Sequence, residues 1–273
     1  MGKRLYALVY RPQLWLLLLA AGLLTAGIVQ RTTPVTYQSM RGAVRWAAPH
    51  PQATLPRVLG DRERVVRDMT LDCTKAQCIA LTFDDGPDKR TTPKVLDILE
   101  REHVPAAFFV MGKHIAGNQS LLRRMYSDGF EVGNHSWSHS DFTKLSTAQM
   151  HAEIERTQAA IHAAGLPYPT LFRPPYGAVN DTVRANVGMT FMFWNEDPVD
   201  WAAKKPEEVI SAVEAAAHPG GVVIMHDVHQ NTVDALPEVI RRLRAKGYQF
   251  STPSHMLDIL PGQHGDFYGR PPH

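Results

Sequence analysis

The chain has little cysteine, with two in 273 residues, Cys73 and Cys78. Two thiols cannot build a disulfide framework. Without a second pair they also make a poor zinc site. An excess of charge of one sign is missing as well: 29 Lys and Arg stand against 27 Asp and Glu, a net +2. That balance gives no case for binding nucleic acid. Repeats and low-complexity tracts are absent. The 19 Gly and 20 Pro follow no collagen-like period, and 44% hydrophobic residues exclude an acidic disordered chain. What remains is ordinary globular composition, long enough for one large α/β domain or two small ones.

One long apolar run stands out, Leu14 to Val29, with Lys3, Arg4 and Arg11 before it. Lipid cannot satisfy backbone polar groups, so such a run enters a bilayer as a helix, and basic residues before it stay in the cytoplasm. Residues 1–30 thus read as a signal-anchor or a signal peptide. Thr25-Ala26-Gly27 is a fair cleavage site for the second reading. The run falls a little short of the roughly 20 residues of a full span. The long basic leader, with Tyr6–Tyr10 extending the apolar length, favours a retained single-pass anchor. Both readings place the rest of the chain outside, membrane-attached or secreted. Residues 31–70, broken by Pro34, Pro49, Pro51 and Pro56, read as a linker. In an exported chain Cys73 and Cys78 read as a small-loop disulfide of modest stabilising effect.

From Cys78 onward strands and helices alternate. Short β-prone runs are expected at 78–83, 106–111, 130–133, 170–173, 190–194, 221–225 and 248–251. Helices are expected from Thr92 with Pro93 at its first turn, over Ser120–Asp128, after Asn180, from Pro206, and over Leu236–Lys246 ending at Gly247. Ser146 and Gln149 form a capping box for a further helix that runs to Gly165. About seven strands separated by helices argue for a mostly parallel sheet, and an α/β barrel of this kind carries its functional residues where strands end. Residues 71–261 form the expected domain. The Pro-rich tail, 262–273, reads as disordered.

The polar clusters sit at those strand ends. Asp84-Asp85-Gly86-Pro87 ends the first strand. An Asp-rich turn is the plain reading; two carboxylates with distinct tasks, one on a metal and one taking a proton, is the functional one. His135-Ser-Trp-Ser-His139 follows the third strand, and imidazoles four apart converge on one ion if the segment is helical. With 13 histidines in the chain the spacing alone is weak. On the same rim as Asp85, however, it offers one oxygen and two nitrogen ligands, an open set that suits catalysis. Arg173-Pro174-Pro175-Tyr176-Gly177 is a stiff turn able to aim the Tyr176 amide inward. Asp197-Pro-Val-Asp200-Trp201 offers carboxylates and an aromatic wall, or simply a turn with a packed Trp. His226-Asp227 closes an apolar strand, where a satisfied core histidine is the bland alternative.

In this order, Thr-Phe-Asp-Asp-Gly, His-Ser-x-x-His, Arg-Pro-Pro-Tyr-Gly, Asp-x-x-Asp-Trp and an apolar run ending in His226 resemble the polysaccharide deacetylase family. These are the family-4 carbohydrate esterases with a NodB homology domain, and the likeness covers roughly residues 72–260. No essential motif position is missing. The resemblance implies a distorted, TIM-like (β/α) barrel of about seven or eight strands. It implies that Asp85, His135 and His139 hold a divalent metal, usually zinc, with cobalt, manganese or nickel also accepted by such ligands. It further implies that Asp84 is the general base, positioned by Arg173. The Tyr176 amide helps bind the oxyanion, and Asp200 orients the general acid His226. Trp201, Pro174 and Tyr176 meet the substrate.

The activity so implied is removal of N-acetyl (or O-acetyl) groups from an extracellular polysaccharide. Peptidoglycan is first in order, then chitin-type oligomers, then acetylated xylan. Three alternatives stand against it. A same-barrel hydrolase of a small cyclic amide sits poorly with Trp201, and a non-haem iron oxygenase leaves Asp84 and His226 idle. A sugar-binding module without activity leaves the same two residues unexplained.

Overall fold

The computed structural model describes residues 71–271. The expected leader (1–30) and linker (31–70) lie outside the described residues. Within them, no helix is long and apolar enough to cross a membrane.

Eight strands form one sheet. They are β1 (Cys78–Asp84), β2 (Ala106–Val110), β3 (Glu131–Asn134), β4 (Leu171–Phe172), β5 (Thr190–Met192), β6 (Gly221–His226), β7 (Gln249–Phe250) and β8 (Asp266–Phe267). Their order is β6-β1-β2-β3-β4-β5-β8, with β7 added beside β1, and every pairing is parallel. Past β5 the chain bridges to β6 at Glu196 and Val223, which brings the two ends of the curl together. The alternation's parallel sheet is thus curled into the distorted (β/α) barrel that the family resemblance implies. The connecting helices are α1 (Thr92–Arg101), α2 (Gln119–Ser127), α3 (Thr147–Ala163), α4 (Asp181–Asn186), α5 (Pro206–Ala216), α6 (Gln230–Ala245) and α7 (Pro253–Met256).

All seven residues of β1 are buried, because helices cover the outside and side chains fill the inside. The period of two sorts them. Ile79, Leu81 and Phe83 join Phe108, Val223 and Met225 in the layer beneath the helices. Cys78 and Ala80 face inward with Ala107, Phe109, Leu171, Met192 and Val222. Continuing each alternation by two or four residues places Asp84, Arg173 and His226 on the inward parity at the C-terminal rim. Register agrees, since Asp84 and His226 are direct partners on β1 and β6.

Local chemistry sets the helices. Ser146 and Gln149 form the expected capping box on α3, and Asn180 caps α4 by accepting the Val183 amide. Two expectations are corrected. α6 begins at Gln230 rather than Leu236, with Pro237 inside it. Pro237 removes one hydrogen bond, but the buried face of Val233, Leu236, Ile240 and Leu243 carries the helix through it. The tail is also not disordered over 266–270. Asp266 and Phe267 form β8 against β5, and Tyr268 stacks on Phe193 at 4.4 Å. The Arg270 guanidinium donates to the Cys73 and Met256 carbonyls. Short strands carry little hydrophobic signal, and β8 is stabilised by tertiary pairing that composition does not reveal. Cys73 and Cys78 are joined as a disulfide.

Candidate active site

Five motifs meet at one rim. β1 ends at Asp84 and turns at Asp85, whose φ of 73° lies in the left-handed region. Gly86 follows because nothing larger fits: a Cβ there would collide with the Asp227 carboxylate. The turn is held from the segment after β2. Met111 N–H donates to the Gly86 carbonyl at 2.9 Å, His114 Nδ1 to the Asp85 carbonyl at 2.8 Å, and Asn118 Nδ2 to the Pro87 carbonyl at 3.3 Å.

The loop after β3 is not helical, so the condition set on the His135/His139 spacing is not met in that form. The rings converge all the same, because Ser136 (φ 66°) and His139 (φ 67°) both take left-handed turns. His135 Nε2 and His139 Nε2 each lie 3.5 Å from Asp85 Oδ1, and the three ligand atoms fall within 4.8 Å of one another. His135 Nδ1 donates to the Arg173 carbonyl at 2.8 Å, which leaves its Nε2 lone pair facing the triad.

A divalent cation fits this set. Asp85 Oδ1 is buried with no hydrogen-bond partner among the described residues, an expensive arrangement unless a cation completes it. Ligands about 2.0–2.1 Å from a tetrahedral ion stand roughly 3.4 Å apart, close to the 3.5 Å separations observed. Charge states agree. Burial pushes the Asp85 carboxyl up, but the close His135 imidazole, with His139 and His226, outweighs it and holds the group well below the usual carboxylate range. Burial, then the neighbouring His135, lowers His139 and keeps its ring neutral.

Asp84 is buried and lies beside the triad, its Oδ2 3.7 Å from His135 Nε2. Its Oδ1 takes a 2.8 Å bond from Arg173 Nη1. Arg173 is fully buried and makes four hydrogen bonds. It also donates to Thr82 Oγ1 and to the Met192 and Phe193 carbonyls, and its guanidinium lies 4.1 Å over the Phe109 ring. Across the β1–β6 pair, His226 Nδ1 donates to Asp200 Oδ1 at 2.7 Å. Asp200 Oδ2 accepts the His226 amide at 2.8 Å and the Thr232 hydroxyl at 2.6 Å. Burial opposes a charged His226, but the Asp200 bond and charge prevail and raise its pKa to about 9.

The sequence-predicted residues thus assemble, with differences in exposure. Tyr176 (70% exposed) and Trp201 (61%) present large rings on the surface, whereas Pro174 is buried and offers no face to a substrate. The Tyr176 ring lies edge-on to His139 at 4.5 Å. Of the seven non-glycine residues with positive φ among the described residues, five lie in these motifs: Asp85, Ser136, His139, Tyr176 and Val199. Such conformations cost about 1–3 kcal/mol each and gather at functional sites.

Two supporting residues had no role in the sequence analysis. His114 carries no motif signal. Asp227 sits beside His226 in sequence, yet its contacts are with Thr92 and Gly86. Burial raises its pKa to about 7, against the Thr92 hydrogen bond.

The chain matches the polysaccharide deacetylase family over residues 72–192. It is 42% identical over 185 residues to the peptidoglycan-N-acetylglucosamine deacetylase PgdA of Listeria monocytogenes, a match covering 68% of this chain and 39% of that longer protein. A chitooligosaccharide deacetylase of Bradyrhizobium is 35% identical over 196 residues, covering 65% of this chain and 90% of that one. The solved peptidoglycan deacetylase PdaC of Bacillus subtilis superposes with a TM-score of 0.66 at 38% identity, over 69% of this chain and 93% of that one.

Proposed function

Since the chain belongs to the polysaccharide deacetylase family, we propose that it hydrolyses the N-acetyl amides of an extracytoplasmic polysaccharide, releasing acetate and a free amino sugar. The single observation that carries this reading is the assembly at one rim of an Asp85/His135/His139 triad, a buried carboxylate and a charged imidazole.

An amide is a poor electrophile with a poor leaving group, so it needs activation, a base and an acid. Asp85, His135 and His139 would hold the metal, zinc first and cobalt, manganese or nickel within tolerance. When bound, a divalent cation supplies Lewis acidity, polarising the acetyl carbonyl and bringing the pKa of water toward neutrality. Asp84 takes the proton of the attacking water. Arg173 holds its Oδ1 at 2.8 Å, which leaves Oδ2 for that proton. The Tyr176 amide donates to the oxyanion as it forms. His226, pinned through Nδ1 by Asp200, keeps its ring charged at neutral pH and delivers the Nε2 proton to the departing nitrogen. Tyr176 and Trp201 present rings on which sugar faces can stack.

Peptidoglycan is the proposed first substrate, followed by chitin-type oligomers and acetylated xylan. The basic leader and the Leu14–Val29 run support an anchored domain outside the membrane, or a secreted one after cleavage. The Cys73–Cys78 disulfide fits an oxidising compartment. The test is acetate release across a panel of these three polymers. Release from at least one is expected. Turnover of small cyclic imides with no release from any polymer would contradict the proposal.

A further inference from the structure

The loop His135–His139 carries two of the three cation ligands yet belongs to no helix or strand. Its amides are nevertheless all accounted for. His135 N–H donates to the Val110 carbonyl at 3.0 Å, Ser136 N–H to Asn134 Oδ1 at 2.8 Å, and His139 N–H to Ser136 Oγ at 3.0 Å. The two central amides, Trp137 and Ser138, both donate to one atom, Glu153 Oε2, at 2.9 and 2.7 Å. The Ser138 hydroxyl takes the other oxygen, Oε1, at 2.9 Å.

Left-handed residues flank this pair of amides, Ser136 on one side and His139 on the other. Consecutive N–H groups turned to one side make a concavity that favours an anion. Glu153, on the first half of α3, fills it with charge-assisted bonds. The same helix grips the loop again, since the Arg156 guanidinium lies 4.1 Å over the Trp137 ring. On the opposite side, Gly112 and Lys113 amides donate to the Ser136 and Trp137 carbonyls at 2.9 and 3.1 Å.

We propose that Glu153 is a positioning residue for the two-histidine loop: by holding the Trp137 and Ser138 amides it fixes where His135 and His139 point, and so sets how tightly the triad takes a divalent cation. The inference rests on the metal reading of that triad and adds to it a residue that touches neither cation nor substrate. An acid at this helix position is invisible to motif reading, since it lies fourteen residues beyond His139.

The test is zinc affinity of chelator-treated full-length protein, measured by competition with a chromophoric chelator. The visible spectrum of the cobalt form and the metal-free unfolding temperature are recorded in parallel. Glu153→Ala weakens zinc by about 10- to 100-fold, and Glu153→Gln, which keeps an acceptor for the amides, stays within about threefold of wild type. Glu153→Asp, too short to reach both amides, falls between them and carries the test if the alanine variant does not fold. The cobalt spectrum shifts in the alanine and aspartate variants even where the metal-free unfolding temperature does not. A folded alanine or aspartate variant with wild-type zinc affinity and an unchanged cobalt spectrum would overturn the inference. Wild-type protein that takes up no zinc or cobalt would overturn the triad reading itself, and this inference with it.

Discussion

Replacing Asp200 by Asn removes the charge that keeps His226 protonated while leaving the side chain's size unchanged. His226 is mostly buried, and burial alone would push its pKa below the ordinary 6.5; the Asp200 hydrogen bond and charge, with Asp84 and Asp85 adding to them, raise it to about 9. That rise corresponds to roughly 3 kcal/mol in favour of the charged ring. Without the carboxylate, the His226 midpoint falls by about 1–3 pH units. Imidazole NMR titration of chelator-treated wild type and Asp200→Asn reads this directly. The alkaline limb of kcat/KM, followed by acetate release, moves toward acid with it. The sign for stability follows. A raised histidine pKa contributes fully below the unfolded value of 6.5 and is lost as pH rises through about 9. Urea unfolding therefore shows the largest gap between wild type and variant below pH 6.5; the gap narrows between pH 6.5 and about 9 and is smallest above that. Equal His226 midpoints in the two proteins would refute the reasoning.

Asp84→Asn keeps the shape of the site and removes the proton acceptor, so kcat falls by about 10²–10⁴-fold while zinc uptake persists; steady-state kinetics beside metal analysis checks both. Arg173→Met leaves Asp84 buried at the rim without its guanidinium partner and costs about 3–5 kcal/mol in urea unfolding. Arg173→Lys also loses most of the four bonded contacts and falls well short of wild-type stability in the same assay.

The rim was legible because the fold's geometry is periodic. In β1 the run Cys78–Phe83 is buried on both faces, so hydrophobicity could not say which residues point inward. The strand-end position of Asp84-Asp85 and His226 was enough, because parallel barrels expose that end. The ordered motifs also paired residues that the structure brings into contact, Asp200 with His226 and Arg173 with Asp84. What escaped depends on contacts distant in sequence or on irregular backbone. The two imidazoles converge through left-handed residues rather than a helical turn. The helix expected from Leu236 begins six residues upstream, because Thr232, Val233 and Ala235 are buried with the rest of its inner face. The two residues of β8 owe their strand to β5. Asp227, His114 and Glu153 act on turns whose partners lie well away in sequence, where no spacing rule reaches.

The central claim is that one cation, held by Asp85, His135 and His139 beside Asp84 and His226, enables cleavage of an acetyl amide. The most direct measurement is acetate release from an N-acetylated polymer by chelator-treated protein, titrated with zinc. The account predicts no release without metal and full recovery at one equivalent per chain, with none recovered by a His135→Ala/His139→Ala double variant. Undiminished release from the metal-free protein, or equal recovery by the double variant, would contradict it.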